Sequence, residues 1–219
     1  MNFFTKAVLA AATMVAMAFA DSSYSPTEKM GVGARLGLGY SFIWGLADDW
    51  NQGDDEDAPA GIMFEGGVQG RYILNKTFQF TPELLFSYAK LTQEDDGYDR
   101  EFTQMDLTLP LMFQAKLHDR AFASIGVVPG VSVSNKVELN ASVNGLASSN
   151  HKVPETIEQA TFNFGVMIGS GYYVIKNLSI DLRAYMGVLE LYPDAESLLI
   201  DISGARLLTL KLGVNYWVF

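Results

Sequence analysis

The 219-residue chain has no cysteine and only two histidines. The absence of cysteine excludes a disulfide framework and any thiolate metal or redox site. Basic residues are also scarce, because 15 lysines and arginines stand against 25 aspartates and glutamates, for a formal net charge of −10. Nucleic-acid binding needs clustered basic side chains against the phosphates, so we expect no nucleic-acid partner.

Long hydrophobic runs are missing after the first twenty residues, although 49% of the residues are hydrophobic. An almost wholly apolar run without charge extends from Ala7 to Ala20, after Lys6, and is shorter than the roughly 20 apolar residues of a membrane-spanning helix. Its layout is typical of a secretory signal peptide. We therefore predict a cleaved signal peptide at residues 1–20, a short N-terminal segment at 21–30 and a single domain at 31–219.

In the rest of the chain, apolar and polar residues alternate. In the last segment every second residue from Leu208 to Val218 is apolar, whereas Thr209, Lys211 and Asn215 lie between them. A period of two predicts a strand with one apolar face, and here that face ends at Val218 and not at the terminal Phe219. The same reasoning predicts eight strands, at residues 31–45, 60–74, 77–92, 101–117, 121–135, 158–175, 178–192 and 205–219.

The connections between these strands alternate in length. Short ones at 75–76, 118–120 and 176–177 are separated by long ones at 46–59, 93–100, 136–157 and 193–204. Strict alternation is typical of outer-membrane barrels, with short periplasmic turns and longer extracellular loops. Closure of the sheet removes the unpaired edge that lipid cannot hydrate. The predicted fold class is all-β, an eight-stranded antiparallel up-and-down transmembrane β-barrel in the outer membrane of a Gram-negative bacterium.

The apolar sets on the first, third, fourth and sixth predicted strands, such as Phe78 to Tyr88 and Met105 to Phe113, contain no charge, and aromatic residues gather near the strand ends. Such aromatics are typical of the girdles at both membrane interfaces. They are Tyr40, Trp44, Tyr72, Tyr88, Tyr172, Tyr192 and Tyr216.

The opposite face of the strands carries balanced charge. An eight-stranded barrel has an interior just wide enough for side chains to fill it, so we expect these charges to pair across the lumen. The result would be a filled polar interior and not a wide pore. This predicted barrel-interior charge network consists of Arg35, Arg71, Arg183 and Lys211 with Glu65, Glu83, Asp106 and Asp181.

Four segments carry a resemblance to a known family. They read GVGARLGL at 31–38, FTPELLFSY at 80–88, MDLTLPLMF at 105–113 and IGVVPG at 125–130. In order and spacing they resemble the PorT-like outer-membrane β-barrel domain family, over residues 31–219. The resemblance implies the barrel fold but no assigned activity. It also implies local bulges at Pro82, Pro110 and Pro129, since proline cannot donate to a strand ladder.

Candidate sites are few. The acidic residues at 48–57 and 94–101 could hold Ca²⁺ or Mg²⁺ through oxygen ligands, but their spacing does not match an EF-hand. We interpret them as solvated surface loops. His118 lies in a short predicted turn. His151 follows Ser148, Ser149 and Asn150 in a polar loop, where no third group is placed to orient the imidazole. We expect no catalytic, cofactor or metal site, and no enzyme.

The sequence therefore predicts an integral outer-membrane protein with a structural or surface-interaction role. The expected partners are outer-membrane lipids and lipopolysaccharide, and the barrel-assembly machinery during biogenesis; we expect a monomer without cofactors. Three alternatives remain open. A small channel would space its interior charges with water, a lipid-modifying enzyme would bring a loop histidine to a serine and a carboxylate, and a soluble lipocalin-like barrel would need an apolar cavity and a polar outside.

Overall fold

The computed structural model describes residues 29–44, 59–95, 98–141, 162–191 and 205–218. The predicted signal peptide, most of the segment at 21–30 and much of the predicted long loops lie outside these residues. No helix in the described part of the chain is long and apolar enough to cross a membrane. The strands there are β1 Met30–Trp44, β2 Ala60–Ile73, β3 Phe78–Asp95, β4 Tyr98–Thr108, β5 Leu111–Lys116, β6 Ala121–Ala141, β7 Phe162–Ile175, β8 Leu178–Gly187 and β9 Arg206–Trp217.

The strands form one closed antiparallel sheet. β1 pairs with β2 on one side and with β9 on the other, so that Arg35 lies opposite both Gly67 and Asn215. β4 and β5 share one position between β3 and β6. The ring therefore has eight strand positions, and the predicted eight-stranded antiparallel up-and-down barrel is confirmed.

The fourth predicted strand is split in two at Leu109 and Pro110. Hydrogen bonds continue across the split, because the Leu109 amide donates to the Pro129 carbonyl at 2.8 Å and the Glu83 amide donates to the Pro110 carbonyl at 2.9 Å. The register against β3 is the same on both sides of the split. Pro110 thus removes one donor without inserting a residue.

The bulges predicted at the three prolines are wrong for the same reason. Opposite Pro82 the β2–β3 ladder is interrupted between Gln69 and Tyr72, yet the register is unchanged. Pro129 stays within β6, paired with Phe164. The register shift between β4 and β6 lies instead beside Met105 and Asp106, where β6 carries one extra residue.

The connection predicted as a long loop at 93–100 is a tight hairpin. β3 continues to Asp95, which pairs with Tyr98 at the start of β4. The strict alternation of long and short connections is therefore wrong at this point. Beyond the membrane both faces of a hairpin meet water. Its hydrogen-bonded ladder can therefore continue without the apolar–polar alternation from which the other strands were predicted. Likewise β6 extends to Ala141, into the loop predicted at 136–157, whereas β8 ends at Gly187.

The outer wall is apolar and the inner wall is not. Leu36 and Ile125 expose 70% and 63% of their surface, and large apolar side chains cover the outside of every strand position. So large an exposed apolar surface is stable only against acyl chains. This polarity is the reverse of that of a soluble lipocalin-like barrel. Tyr40, Trp44 and Tyr216 lie on the outer wall near the strand ends, as the girdle requires.

Candidate functional site: the barrel interior

Six of the eight predicted interior charges join in one ion-pair network. Period-two geometry turns them inward from β1, β2, β3, β8 and β9. All are more than nine-tenths buried. The members are Arg35, Glu65, Glu83, Asp181, Arg183 and Lys211.

Arg35 connects two carboxylates at the middle of the network. Its Nε donates to Glu65 Oε1 at 2.9 Å, and its Nη1 donates to Asp181 Oδ2 at 2.6 Å. The same Nη1 also donates to Asn215 Oδ1 at 3.0 Å. Charge-assisted hydrogen bonds of this kind are about twice as strong as neutral ones, which helps to offset the desolvation of the guanidinium group.

Arg183 and Lys211 complete the network on the two sides of Arg35. Arg183 binds Glu83 through both Nη atoms, at 2.8 and 2.9 Å, and its Nη2 lies 3.0 Å from Asp181 Oδ2. Lys211 Nζ donates to Glu65 Oε2 at 2.8 Å. Cations and carboxylates therefore alternate from Lys211 to Glu83, three of each sign, and the network as a whole is neutral.

Two glycines make room for the side chains of Arg35 and Glu65. Gly213 and Gly37 lie opposite each other on β9 and β1. A Cβ atom at Gly213 would overlap the guanidinium nitrogens of Arg35, and one at Gly37 would lie 2.7 Å from Glu65 Cγ. The inward glycines are therefore part of the site, because they leave the space that the long charged side chains fill.

The structure does not bring Arg71 into this network. The Arg71 guanidinium stacks on the indole ring of Trp217, 4.5 Å from its centroid, near the end of the barrel with the short turns. A cation over the face of a tryptophan is stabilised by the ring quadrupole.

Asp106 is the other predicted member that lies apart. Its carboxylate accepts hydrogen bonds from Gln104 Nε2 and Ser132 Oγ, both at 2.8 Å, and from Asn163 Nδ2 at 3.0 Å. Neutral donors therefore satisfy this carboxylate. The predicted balance of four charges against four is, in the structure, a balance of three against three.

Apolar layers lie on both sides of the ion-pair network, so the interior is polar in its middle and not along its whole length. Sequence analysis missed these layers, whose signal was a pair of adjacent apolar residues such as Leu207 and Leu208 that breaks the alternation. Towards the short turns the layer consists of Phe122, Tyr173 and Trp217. Towards the loops it consists of Ile43, Met63, Ala89, Leu91, Phe102, Leu191, Ala205 and Leu207.

The interior cavities differ greatly in size. Beside Asp106, Lys211 and Tyr185 the side chains enclose about 30 Å³, which is room for about one water molecule. A cavity of about 420 Å³ lies at the short-turn end, lined by residues that include Gln79 and Gln114. The middle of the barrel is therefore filled.

The other candidate residues give no site in the described part of the chain. No group of three His, Asp or Glu side chains there is placed to hold a metal ion. His118 lies in the turn after β5, as predicted. Glu101 pairs with Lys90 at 2.8 Å on the outer surface. The acidic residues at 48–57, and His151 with its neighbouring serines, lie outside the described residues.

The family model described as outer membrane protein beta-barrel domain matches residues 19–192. The chain belongs to this family. It is accordingly an outer-membrane protein, and its exposed apolar wall is the surface that this family turns to lipid. No curated protein matches the chain in sequence.

The chain is also similar to solved structures of outer-membrane proteins. Neisserial surface protein A is 12% identical, with a TM-score of 0.50, over 86% of this chain and 99% of that one. Ail, the attachment invasion locus protein of Yersinia pestis, is 14% identical, with a TM-score of 0.45, over 87% and 99%. OprG from Pseudomonas aeruginosa is 10% identical, with a TM-score of 0.41, over 90% and 99%. At such identities the likeness to Neisserial surface protein A concerns the fold alone.

Proposed function

We propose that this outer-membrane barrel is a closed, non-enzymatic scaffold with a structural or surface-interaction role. The observation that carries the proposal is the neutral ion-pair network. A lumen that conducts ions or binds a ligand has charged groups available to that ion or ligand. Here all six charges are paired with one another.

The apolar layers support the same proposal. An ion on its way through the barrel would have to pass side chains such as Leu91, Phe102 and Leu207, which offer no ligand in place of water. With the interior closed, the loops and the outer wall are the surfaces left for partners, and loops on a rigid scaffold are common binding surfaces.

The proposed partners follow from the location. They are outer-membrane lipids and lipopolysaccharide along the wall, and the barrel-assembly machinery during biogenesis, with a monomer as the working form. Kinship to the PorT-like barrels in particular stays a prediction from the four sequence segments.

Reconstitution into planar bilayers tests the closed interior. We expect the wild type to give no large, steady, unselective conductance. The matched variant Glu83→Ala/Arg183→Ala removes a neutral bidentate pair and so widens the lumen while the other four charges stay balanced. Absence of current through the wild type supports the proposal. Current through the variant would show that the ion-pair network alone closes the lumen, whereas no current would show that the apolar layers close it too. Steady current through the wild-type chain overturns the proposal.

A small channel is the second candidate, and one observation favours it. The cavity of about 420 Å³ at the short-turn end already penetrates the barrel as far as Tyr173. A channel predicts similar conductance in the wild type and in the widened variant, since water would then already separate the charges. The same bilayer recordings therefore distinguish the two functions.

Absence of enzymatic activity is also a proposal. A lipid-modifying enzyme needs a nucleophile and an oriented base, and the two histidines are the candidate bases. We expect His118→Ala and His151→Ala to leave the lipid composition of the host outer membrane unchanged, as measured by mass spectrometry. An altered acylation pattern in either variant would show catalysis.

A further inference from the structure

A recess of about 310 Å³ lies on the outer wall across β1, β2 and β3, near the short turns. Its floor is Gly70. Val32 on β1 pairs with Gly70, and Pro82 on β3 lies on the other side, 3.4 Å from where a Gly70 Cβ would be. Tyr72 and Phe80, paired in the next row, also line the recess, as do Met30, Gly31 and Arg71.

Two residue choices create this recess. Gly70 occupies an outward position, between the outward residues Val68 and Tyr72, and adds no side chain to the wall there. Pro82 brings no amide hydrogen, and the β2–β3 ladder is interrupted at this point. A notch in an otherwise continuous lipid-facing surface is the consequence.

A cation lies beside the recess, next to the lining residue Tyr72. Lys29 is exposed, and its Nζ lies 5.6 Å from the centroid of the Tyr72 ring. Its carbonyl accepts a hydrogen bond from the Ile73 amide at 2.8 Å, which fixes the backbone beside β2. Because the short turns mark the periplasmic end, this cation lies at the level of the periplasmic lipid headgroups.

We propose that the recess binds one anionic phospholipid of the periplasmic leaflet, with an acyl chain over Gly70 and the phosphate at Lys29. The lining is apolar where acyl chains are, and the charge is positive where phosphates are, so the order along the membrane normal matches that of a phospholipid. The volume lies at the lower end of the range of small-molecule sites.

Native mass spectrometry of chains released from nanodiscs tests the proposal. The nanodiscs contain equal amounts of phosphatidylglycerol and phosphatidylethanolamine. We expect the wild type to retain one phosphatidylglycerol per chain. Gly70→Leu fills the notch and should lower this retention by about tenfold.

Gly66→Leu is the matched control for the filled notch. Gly66 is also an outward glycine of β2, but it lies between Leu36 and Phe86, away from the recess. We expect retention equal to that of the wild type. Heat-modifiable migration on cold SDS gels shows that each variant is folded. If folded Gly70→Leu retains as much phosphatidylglycerol as Gly66→Leu, the proposed site does not exist.

Substitution of Lys29 tests the headgroup. Lys29→Gln should lower the ratio of retained phosphatidylglycerol to phosphatidylethanolamine several-fold, while the total lipid retained is unchanged. Lys176→Gln removes an exposed lysine from the β7–β8 turn, away from the recess, and should change nothing. An unchanged ratio in Lys29→Gln overturns the assignment of the phosphate. In nanodiscs that also contain lipopolysaccharide in an amount equal to that of phosphatidylglycerol, displacement of the retained phosphatidylglycerol by lipopolysaccharide overturns the assignment of the leaflet.

Discussion

At the scale of single residues, the ion-pair network is stable only as a set. Moving one ion into a protein interior costs several kcal/mol, and the cost is offset only when good geometry and further hydrogen bonds satisfy each group. Glu65 meets this condition by accepting from Arg35 and Lys211 with its two separate oxygens. We therefore expect a large loss of barrel stability when any one member is removed, and a much smaller loss when a neutral pair is removed.

Arg183→Met should destabilise the barrel by about 3–5 kcal/mol, because it leaves Glu83 without its two donors and Asp181 without one. Urea unfolding of the refolded barrel in detergent micelles measures the loss. Glu83→Gln/Arg183→Met restores neutrality and should recover most of it. Lys90→Met, at an exposed pair, should cost only about 0–1 kcal/mol. A loss in Arg183→Met no larger than that in Lys90→Met would contradict the interpretation.

Gly213→Ala should be costly although it adds one methyl group. Its Cβ would overlap the Arg35 guanidinium, which is held by Glu65 and Asp181 and has no space to move away. We expect a destabilisation of about 1–3 kcal/mol, the usual cost of overpacking a core, in the same urea titration.

Gly66→Ala is the control for this glycine. Its Cβ would face the flexible tip of Leu36 on the lipid side, 3.1 Å from Cδ2. We expect a change within about 0.5 kcal/mol. Equal effects at Gly213 and Gly66 would show that the inward glycines are not needed as space for Arg35.

Alternation with a period of two predicts which side of the wall a charge faces, and the structure places all eight predicted charges inside. It does not predict which charges meet. Arg71 and Asp106 face the same lumen as Arg183 but at other heights, and height in a tilted barrel depends on a register that one strand alone does not specify. The apolar layers were missed because an apolar residue facing inward breaks the very pattern used to assign faces.

At the scale of elements, Pro110 shows how a strand is interrupted without changing its neighbours. Pro110→Ala supplies a backbone amide hydrogen at a position opposite Glu83. The amide of Glu83 already donates to the carbonyl of residue 110. The gain of about 0.5–1.5 kcal/mol from a hydrogen bond is largely offset by the about 0.4–1 kcal/mol lost when the unfolded chain becomes more flexible.

We therefore expect little change in stability from Pro110→Ala. The new amide should be strongly protected in hydrogen exchange, because its hydrogen bond would join β4 and β5 into one strand. Rapid exchange of this amide would show that the interruption has another cause. The protection of the Leu109 amide, which is bonded to Pro129 in the wild type, is the internal reference.

The existence and direction of the strands followed from the sequence because lipid allows only closed, alternating sheets. Their ends did not. The hairpin of Asp95 and Tyr98 lies among acidic residues that are typical of loops, and in water a ladder can continue through such residues. Strand ends outside the membrane are set by pairing, which composition does not report.

At the scale of the whole molecule, closure between β1 and β9 is the decisive feature. Leu38 and Leu212 lie directly opposite each other across this seam, both on the outer wall. Leu38→Cys/Leu212→Cys should form a disulfide in the folded barrel with a membrane-permeable oxidant, because paired strands bring the Cα atoms within the required distance. The absence of native cysteine keeps the assay free of background.

Cross-linking is measured by migration of the denatured chain on non-reducing gels. Leu38→Cys/Val218→Cys places the second cysteine just past the end of β9, beside Val32 and several residues out of register with Leu38, and should not cross-link. Equal cross-linking of both pairs would mean that the seam has no fixed register, and the ring described above would then be incorrect.

Three of the interior ion pairs join partners that are far apart in the chain: Arg35 with Asp181, Glu65 with Lys211, and Glu83 with Arg183, separated by 146, 146 and 100 residues. Each of these contacts joins one of the first three strands to one of the last two. During synthesis and insertion the N-terminal half therefore carries charges whose partners arrive last. Until the final hairpin docks, these charges must stay hydrated or shielded, so the energetic reward for burying them comes in the last step of assembly and makes that step hard to reverse.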